Sequence, residues 1–474
     1  MAMPNWTRYT ANREQWETAA VRLERGELAL LGLWAEPTCA YMAVMEQEAS
    51  SFAVLSVACE RGRFPSVGRL HAPAIRPERA IRDLTGLEAE GSPDTRPWLR
   101  HGGAYAFLPA VGESLHQIPV GPVHAGIIEP GHFRFTANGE AVVRLEERLG
   151  YTHKGIDALI AGAPVERAAV LAGRVSGDST VAFALAFARA VEAALAIEVP
   201  PRAVWLRGLL AELERLANHF GDIGAICNDA ALAILHAQFG LLRERVLRTC
   251  GACFGHRLMM DRVVPGGLSC DLPADGARRV GELLALVRKA FPDLVEVYEN
   301  TTSLKDRTVG TGILSPALAR QFAAGGFVGR ASGRGFDARR TPGYAPYDAL
   351  RFEVPVVQAG DVNARVWIRI REVEQSLALV EQILAALPAG PVCASIAGRA
   401  GPDARVGLAL VEGFRGDILA WLRIDAAGRV ERCHLRDPSW FQWPLLEAAV
   451  EGNIVADFPL CNKSFNCSYS GQDL

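Results

Sequence analysis

Pro201-Arg-Ala-Val-Trp-Leu-Arg-Gly-Leu-Leu-Ala-Glu-Leu-Glu-Arg-Leu-Ala-Asn-His-Phe-Gly-Asp-Ile-Gly-Ala-Ile-Cys227 reads as one long helix. Leu206, Leu209, Leu213, Leu216, Phe220 and Ile223 recur at three- and four-residue spacing, the mark of a helix with one apolar face. Ala163–Ala172, Val181–Ile197 and Ala231–Gly251 repeat the pattern, and Asp275–Glu299 and Ile370–Leu387 extend it further along the chain. Helices of this kind bury their faces against one another, so a bundle is expected. The most apolar stretch, 181–199, carries Arg189, Glu192 and Glu198 and reads as a buried helix rather than a membrane span.

Outside this block the periodicity changes. Asn12–Arg25 has helical spacing, and Leu28–Trp34, Tyr41–Met45 and Phe52–Cys59 are short β-type runs. With a further helix at Arg76–Leu87, residues 1–100 are expected to form a small α/β domain. The Gly/Pro-rich stretch 91–121 suggests a linker, set at 101–120, before a second domain at 121–474. That domain opens with strands at 126–128, 133–136 and 141–147, the last pair joined by an Asn138-Gly139 turn. A hairpin of 415–424 and 429–436 follows near the end. The expected class is α+β: a small α/β domain, then a mainly helical bundle with peripheral short sheets.

The chain has 474 residues and a net charge of −3, which disfavours a nucleic-acid partner because phosphate contacts need clustered excess cations. The first residues lack the apolar core of a secretory signal, so an intracellular protein is expected. Ten cysteines in such a chain suggest metal or thiol chemistry before disulfides. Cys250 and Cys253 have CxxC spacing and, with His256 and Cys270, offer a tetrahedral metal set; the alternative is a helix ending at Gly251 or Gly255 with buried thiols. In Gly121-Pro-Val-His-Ala-Gly-Ile-Ile-Glu-Pro-Gly-His-Phe-Arg134, Glu129 is a candidate proton carrier beside His132; the alternative is a polar turn between strands. His153 lies in Tyr151-Thr-His-Lys-Gly155, and Arg174-Val-Ser-Gly-Asp-Ser-Thr180 carries a helix-start signal. The tail after Asp457 holds Phe458, Leu460, Phe465 and Tyr469 and is expected to dock.

Together these stretches resemble the large subunit of the membrane-bound NiFe hydrogenases related to respiratory complex I, of the hydrogenase-4 and formate hydrogenlyase type. Pro77-Glu-Arg-Ala-Ile-Arg-Asp-Leu-Thr-Gly86 and Gly91-Ser-Pro-Asp-Thr-Arg96 are similar to the complex I thirty-kilodalton-type subunit. Glu129-Pro-Gly-His-Phe-Arg134, His153-Lys-Gly155, Glu212-Leu-Glu-Arg-Leu-Ala-Asn-His219, Lys305-Asp-Arg-Thr-Val-Gly310, Phe414-Arg-Gly-Asp417 and Arg436-Asp-Pro-Ser439 are similar to the quinone-proximal large subunit. The resemblance implies a cytoplasmic arm subunit, peripheral on the membrane's inner face. Its implied partners are a small iron–sulfur subunit and antiporter-like membrane subunits. It also implies electron transfer coupled to proton or cation movement, with quinone as one candidate acceptor. Glu129 matches the family's proton-passing glutamate and Arg415 the arginine over the metal pair. Where the family places two CxxC motifs, this sequence has Ser176 and Ser179, then Ser468 and Gly471. Neutral hydroxyls are poor substitutes for bridging thiolates, so the nickel–iron site is expected to be lost and no cofactor to be bound by this chain. Only Gln472-Asp-Leu474 follow the last of these positions, too little for the extension that active hydrogenases remove. A purely structural scaffold is the alternative, and an active nickel enzyme the second alternative.

Overall fold

The computed structural model describes residues 6–46, 51–125, 128–396 and 403–474. In the N-terminal unit, Arg13–Glu24 starts at a reciprocal cap: Asn12 Oδ1 accepts from Gln15 N, and Gln15 Oε1 from Asn12 N, both at 2.9 Å. The helix buries Trp16, Ala20 and Leu23 against a four-stranded sheet ordered Trp6–Ala11, Phe52–Ala58, Cys39–Glu46, Leu28–Glu36. Ile75–Thr85 ends at Gly86, whose φ of 78° suits glycine.

The expected linker is bound to the body and ends in a strand. The guanidiniums of Arg76 and Arg79 each lie 4.7 Å from the Trp98 ring, while the Asp83 carboxylate accepts the N–H groups of Trp98 and Leu99. Leu115–Val120 then pairs with His132–Asn138, which pairs with Ala141–Arg148 across the expected Asn138-Gly139 turn. Of the expected strand 126–128, residues 126–127 lie outside the described residues and Ile128 is in a bend.

The quoted helix spans Pro201–Asp229 at the centre of the body, against Ala233–Phe254 on one side and Val362–Ala386 on the other. Leu206, Leu209, Leu210, Leu213 and Leu216 are fully buried, and each contributes about 1.5–3 kcal/mol from burial. Thr180–Leu195 lies on the outer sheet strand Arg405–Gly413 so closely that a side chain at Gly407 would collide with the Ala190 carbonyl. That sheet continues through Gly416–Ile424 and Arg429–Arg436. Its other face meets the N-terminal sheet, where Trp34 stacks on His434 at 4.7 Å and touches Trp421 at 5.4 Å. No single helix among the described residues is long and apolar enough to cross a membrane.

One helix boundary differs from the sequence reading because of buried arginines. The helix read at 370–387 begins at Val362, capped by Asp361 on Ala364 N at 2.7 Å. Arg365 and Arg369 broke its apolar stripe in the sequence, yet both are buried against partners. The strand Arg405–Gly413 and the helix Ser439–Val450, which contains Pro444, were not anticipated.

Candidate functional site

Ser176-Gly-Asp-Ser-Thr180 turns into the helix Thr180–Leu195. The expected serine cap is absent. Glu214, from the central helix, accepts the N–H groups of Val181 at 2.7 Å and Ala182 at 3.1 Å. The hydroxyls of Ser176 and Ser179 point to the Asp178 carboxylate instead. The same carboxylate takes both arms of Arg415, Nη1 at 3.0 Å and Nη2 at 2.7 Å. Burial opposes its charge, but the guanidinium and hydroxyls prevail and hold Asp178 below the usual carboxylate range.

Arg415 is placed by strand register. Gly413 pairs with Gly416, leaving Phe414 and Arg415 as a two-residue hairpin tip. The tip rests on Gly326, where any side chain would collide with the Arg415 carbonyl. Arg415 Nε donates to Asn466 O at 2.5 Å; Asn466 Nδ2 donates to Asp222 Oδ1 at 2.8 Å; Asp222 Oδ2 accepts from Arg369 at 2.9 Å. The ionic centre therefore joins a helix start, a hairpin tip and the C-terminal segment.

That segment docks as expected. Ser468 Oγ accepts Gly471 N at 2.9 Å, capping Tyr469–Asp473, and Ser468 N donates to Ser439 Oγ at 2.9 Å. Gly471 sits under the Asp437 carboxylate, which a Cβ at 471 would strike. Asp437 Oδ2 and both polar atoms of the Gln472 side chain have no hydrogen-bond partner among the described residues. Asp473 receives Gly150 N, Thr152 N and Thr152 Oγ1 at 2.7–2.9 Å.

The candidate residues thus fall into three places. Ser176, Ser179 and Arg415 meet at Asp178. Glu129, His153 and Ser468 lie along the C-terminal segment: Glu129 is exposed and accepts Ser470 N at 3.1 Å, and His153 Nδ1 donates to Asp473 O at 2.7 Å. Glu129 forms no ion pair with Arg415. His132 is buried against Phe107, with Nδ1 3.2 Å from Gly121 O, and burial lowers its pKa. Sequence reasoning passed over Asp178, although it stands between the two serines, and also Asp222, Asn466 and Asp437.

The cysteine set does not assemble. Cys250 and Cys253 are buried in the last turn of Ala233–Phe254, which ends at Gly255. Burial pushes the Cys250 thiol well above its ordinary pKa. His256 Nδ1 is occupied by the N–H groups of Leu258 and Met260. Cys461 and Cys467 belong to a different core cluster. Among the described residues no three His, Cys, Asp or Glu side chains are placed to hold a metal ion.

Asp178 and Glu214 open onto a narrow cleft shared with Asn218, Arg243, Arg257 and Met259, with room for about one water molecule. The α-helical body thus holds a buried ionic centre closed by its own C-terminal segment. Residues 230–407 match the family model described as respiratory-chain NADH dehydrogenase, 49 Kd subunit. The chain is 31% identical over 447 residues to formate hydrogenlyase subunit 5 of Escherichia coli (strain K12), covering 88% of this chain and 78% of that one. It is 30% identical over 437 residues to hydrogenase-4 component G of the same organism, covering 86% and 76%. A structure titled as the membrane-bound sulfane sulfur reductase, an archaeal respiratory membrane complex, superposes with a TM-score of 0.72 at 26% identity, covering 77% of this chain and all of the matched chain. The chain belongs to the family of complex I-related, membrane-bound hydrogenase large subunits.

Proposed function

We propose that this chain is the cytoplasmic-arm large subunit of a membrane-bound oxidoreductase that couples electron transfer to proton or cation translocation without a nickel–iron centre of its own. One observation carries the reading. At the four positions that match the family's thiolate ligands stand Ser176, Ser179, Ser468 and Gly471, and these residues do not fit a thiolate-held metal pair. The first two serve Asp178, the third caps a helix turn, and Asp437 fills the space a fourth side chain would need. Neutral hydroxyls and a glycine supply none of the soft anionic donors that a nickel–iron pair requires.

The Arg415–Asp178 pair then takes the central place. Its charge is balanced within the site, and one side faces the cleft. The cleft is too small for a quinone ring, so a quinone or other organic acceptor would be met at a surface shared with partner subunits. Electrons would come through an iron–sulfur cluster in a neighbouring small subunit, with antiporter-like membrane subunits moving the ion. A scaffold role is the second reading, and the narrowness of the cleft favours it. The native complex, purified with its partners identified by mass spectrometry and rebuilt in vesicles, separates the two. The proposed role predicts electron transfer that builds an ion gradient and is lost with Arg415→Ala; unchanged coupled turnover in that variant supports the scaffold.

A further inference from the structure

A second set of buried ions takes no part in this centre. Glu212, Arg215 and His219 come from the central helix and Glu372 from Val362–Ala386; Arg330, Asp337 and Arg339 come from the segment between, and Glu412 from the strand leading to the Arg415 tip. All are at most 2% exposed. Three of the four carboxylates are each held by two guanidiniums. Glu212 meets Arg339 at 3.0 Å and Arg215 at 3.4 Å; Asp337 meets Arg339 at 2.7 Å and Arg330 at 3.4 Å; Glu372 meets Arg330 at 2.7 Å and Arg215 at 3.7 Å. Among the guanidiniums of the described residues Glu412 meets only Arg330, at 2.9 Å on Oε1, while its Oε2 accepts Ala338 N at 2.9 Å.

Four carboxylates share three guanidiniums at ion-pair distance, with Arg334 nearby but in no ion pair with Glu412, and a buried carboxylate short of close cationic partners favours its protonated form. His219 is poorly placed to carry the proton. Its Nε2–H donates to Glu372 at 2.8 Å, its Nδ1 has no partner among the described residues, and burial lowers its pKa. Glu412 is the carboxylate with the fewest cationic partners. The charged and titratable groups around it are Arg330, Asp337, Asp417, Arg215, Arg334 and Tyr344. Its backbone N–H donates to Tyr344 Oη at 3.1 Å. Tyr344 and Tyr347 line a second small cleft with Arg189, Arg207 and Pro346, with room for about one water.

We propose that this cluster is a proton-binding site of the protein, in which Glu412 carries one exchangeable proton. The inference deepens the proposed coupling to ion movement and rests on that reading for its role in the complex. Burial, with the Asp337 charge, pushes Glu412 up to about 7, whereas the arginines prevail over burial at Glu212, Asp337 and Glu372 and keep them low. The site is also tied to the ionic centre through backbone. Arg215 donates to the carbonyls of Glu412 and Gly413, and Arg415 follows at the tip of the same hairpin.

Infrared difference titration of the full chain tests the proton directly. A carboxylic-acid carbonyl component with a midpoint near 7 is expected to disappear between about pH 5 and about pH 9, beside the Glu214 component at about 8, and to be missing in Glu412→Gln while the Glu214 component stays. Asp337→Asn removes the neighbouring negative charge that raises Glu412, so the Glu412 band should be lost at lower pH; this variant decides the matter where Glu412→Gln does not fold. A band unchanged in Glu412→Gln, or a midpoint unmoved in Asp337→Asn, overturns the proposal. The titration needs no electron transfer, so a proton found on the chain with no ion movement in the vesicle-bound complex would overturn the proposed function and leave this site standing.

Discussion

Arg330 and Arg415 are both buried guanidiniums, and they sit in opposite electrostatic settings. Arg330 is enclosed by Glu372, Glu412, Asp337 and the Phe336 carbonyl, none of which reaches solvent. Arg415 has one carboxylate, Asp178, with 33% of that side chain exposed to the cleft. A closed ionic frame fixes helices against one another, because removing any member strands the others without water. An ion pair with one open side can exchange partners with whatever enters the cleft. The two regions share one hairpin, so the rigid one positions the reactive one.

The variants that would break this contrast differ in size. Glu372→Ala strands Arg330, Arg215 and His219 together and should cost about 3–5 kcal/mol in denaturant unfolding. Arg415→Ala leaves a partly exposed carboxylate that water can reach, and about 2 kcal/mol is expected; a loss as large as that of Glu372→Ala would erase the distinction. Gly471→Ala pushes a methyl against the Asp437 carboxylate, for about 1–2 kcal/mol of overpacking measured the same way.

Glu214 sharpens the contrast through pH. Burial pushes its carboxyl up to about 8 despite two backbone N–H groups, with Asp178 adding to the rise. Between the ordinary value of 4.5 and about 8 the folded chain therefore holds a proton that the unfolded chain has released. Stability should fall as pH rises through that window, by about 1 kcal/mol or more, and thermal melts of Glu214→Gln should show a shallower fall. At the small end, Glu381→Ala removes an exposed pair with Arg288 and should change stability by less than about 0.5 kcal/mol.

Most of the fold was legible because its periodicities are local. The main helices of the body and three of the four strands of the N-terminal sheet each declare themselves within a dozen or so residues, while the edge strand Trp6–Ala11 was not read. What escaped was written in long-range partnerships. Arg365 and Arg369 look like breaks in an apolar face until Ser464 and Asp222 are seen to satisfy them. The linker at 101–120 is held by partners outside it on both sides in the chain: Arg79 donates to Tyr105 Oη at 2.6 Å, and Glu146 accepts Leu108 N at 2.9 Å. At the site, Ser176, Ser179 and Arg415 were found through family resemblance, and the structure brings them together. Glu129 was read as facing the same centre, yet it meets the C-terminal segment at Ser470. Asp178, the residue that organises the centre, was hidden by its ordinary role in a helix-start motif. Glu212, Arg215 and His219 of the Glu412 cluster stand in a stretch the family resemblance singled out, but the cluster itself was hidden because its members come from four separate segments.

The central claim is that ionic and hydroxyl groups stand where this family's metal-gripping thiolates stand. Nickel quantified in the native complex, purified without oxygen, tests it most directly. The account predicts nickel far below one atom per chain; one nickel per chain, lost when Ser176, Ser179 or Ser468 is replaced by alanine, would contradict it.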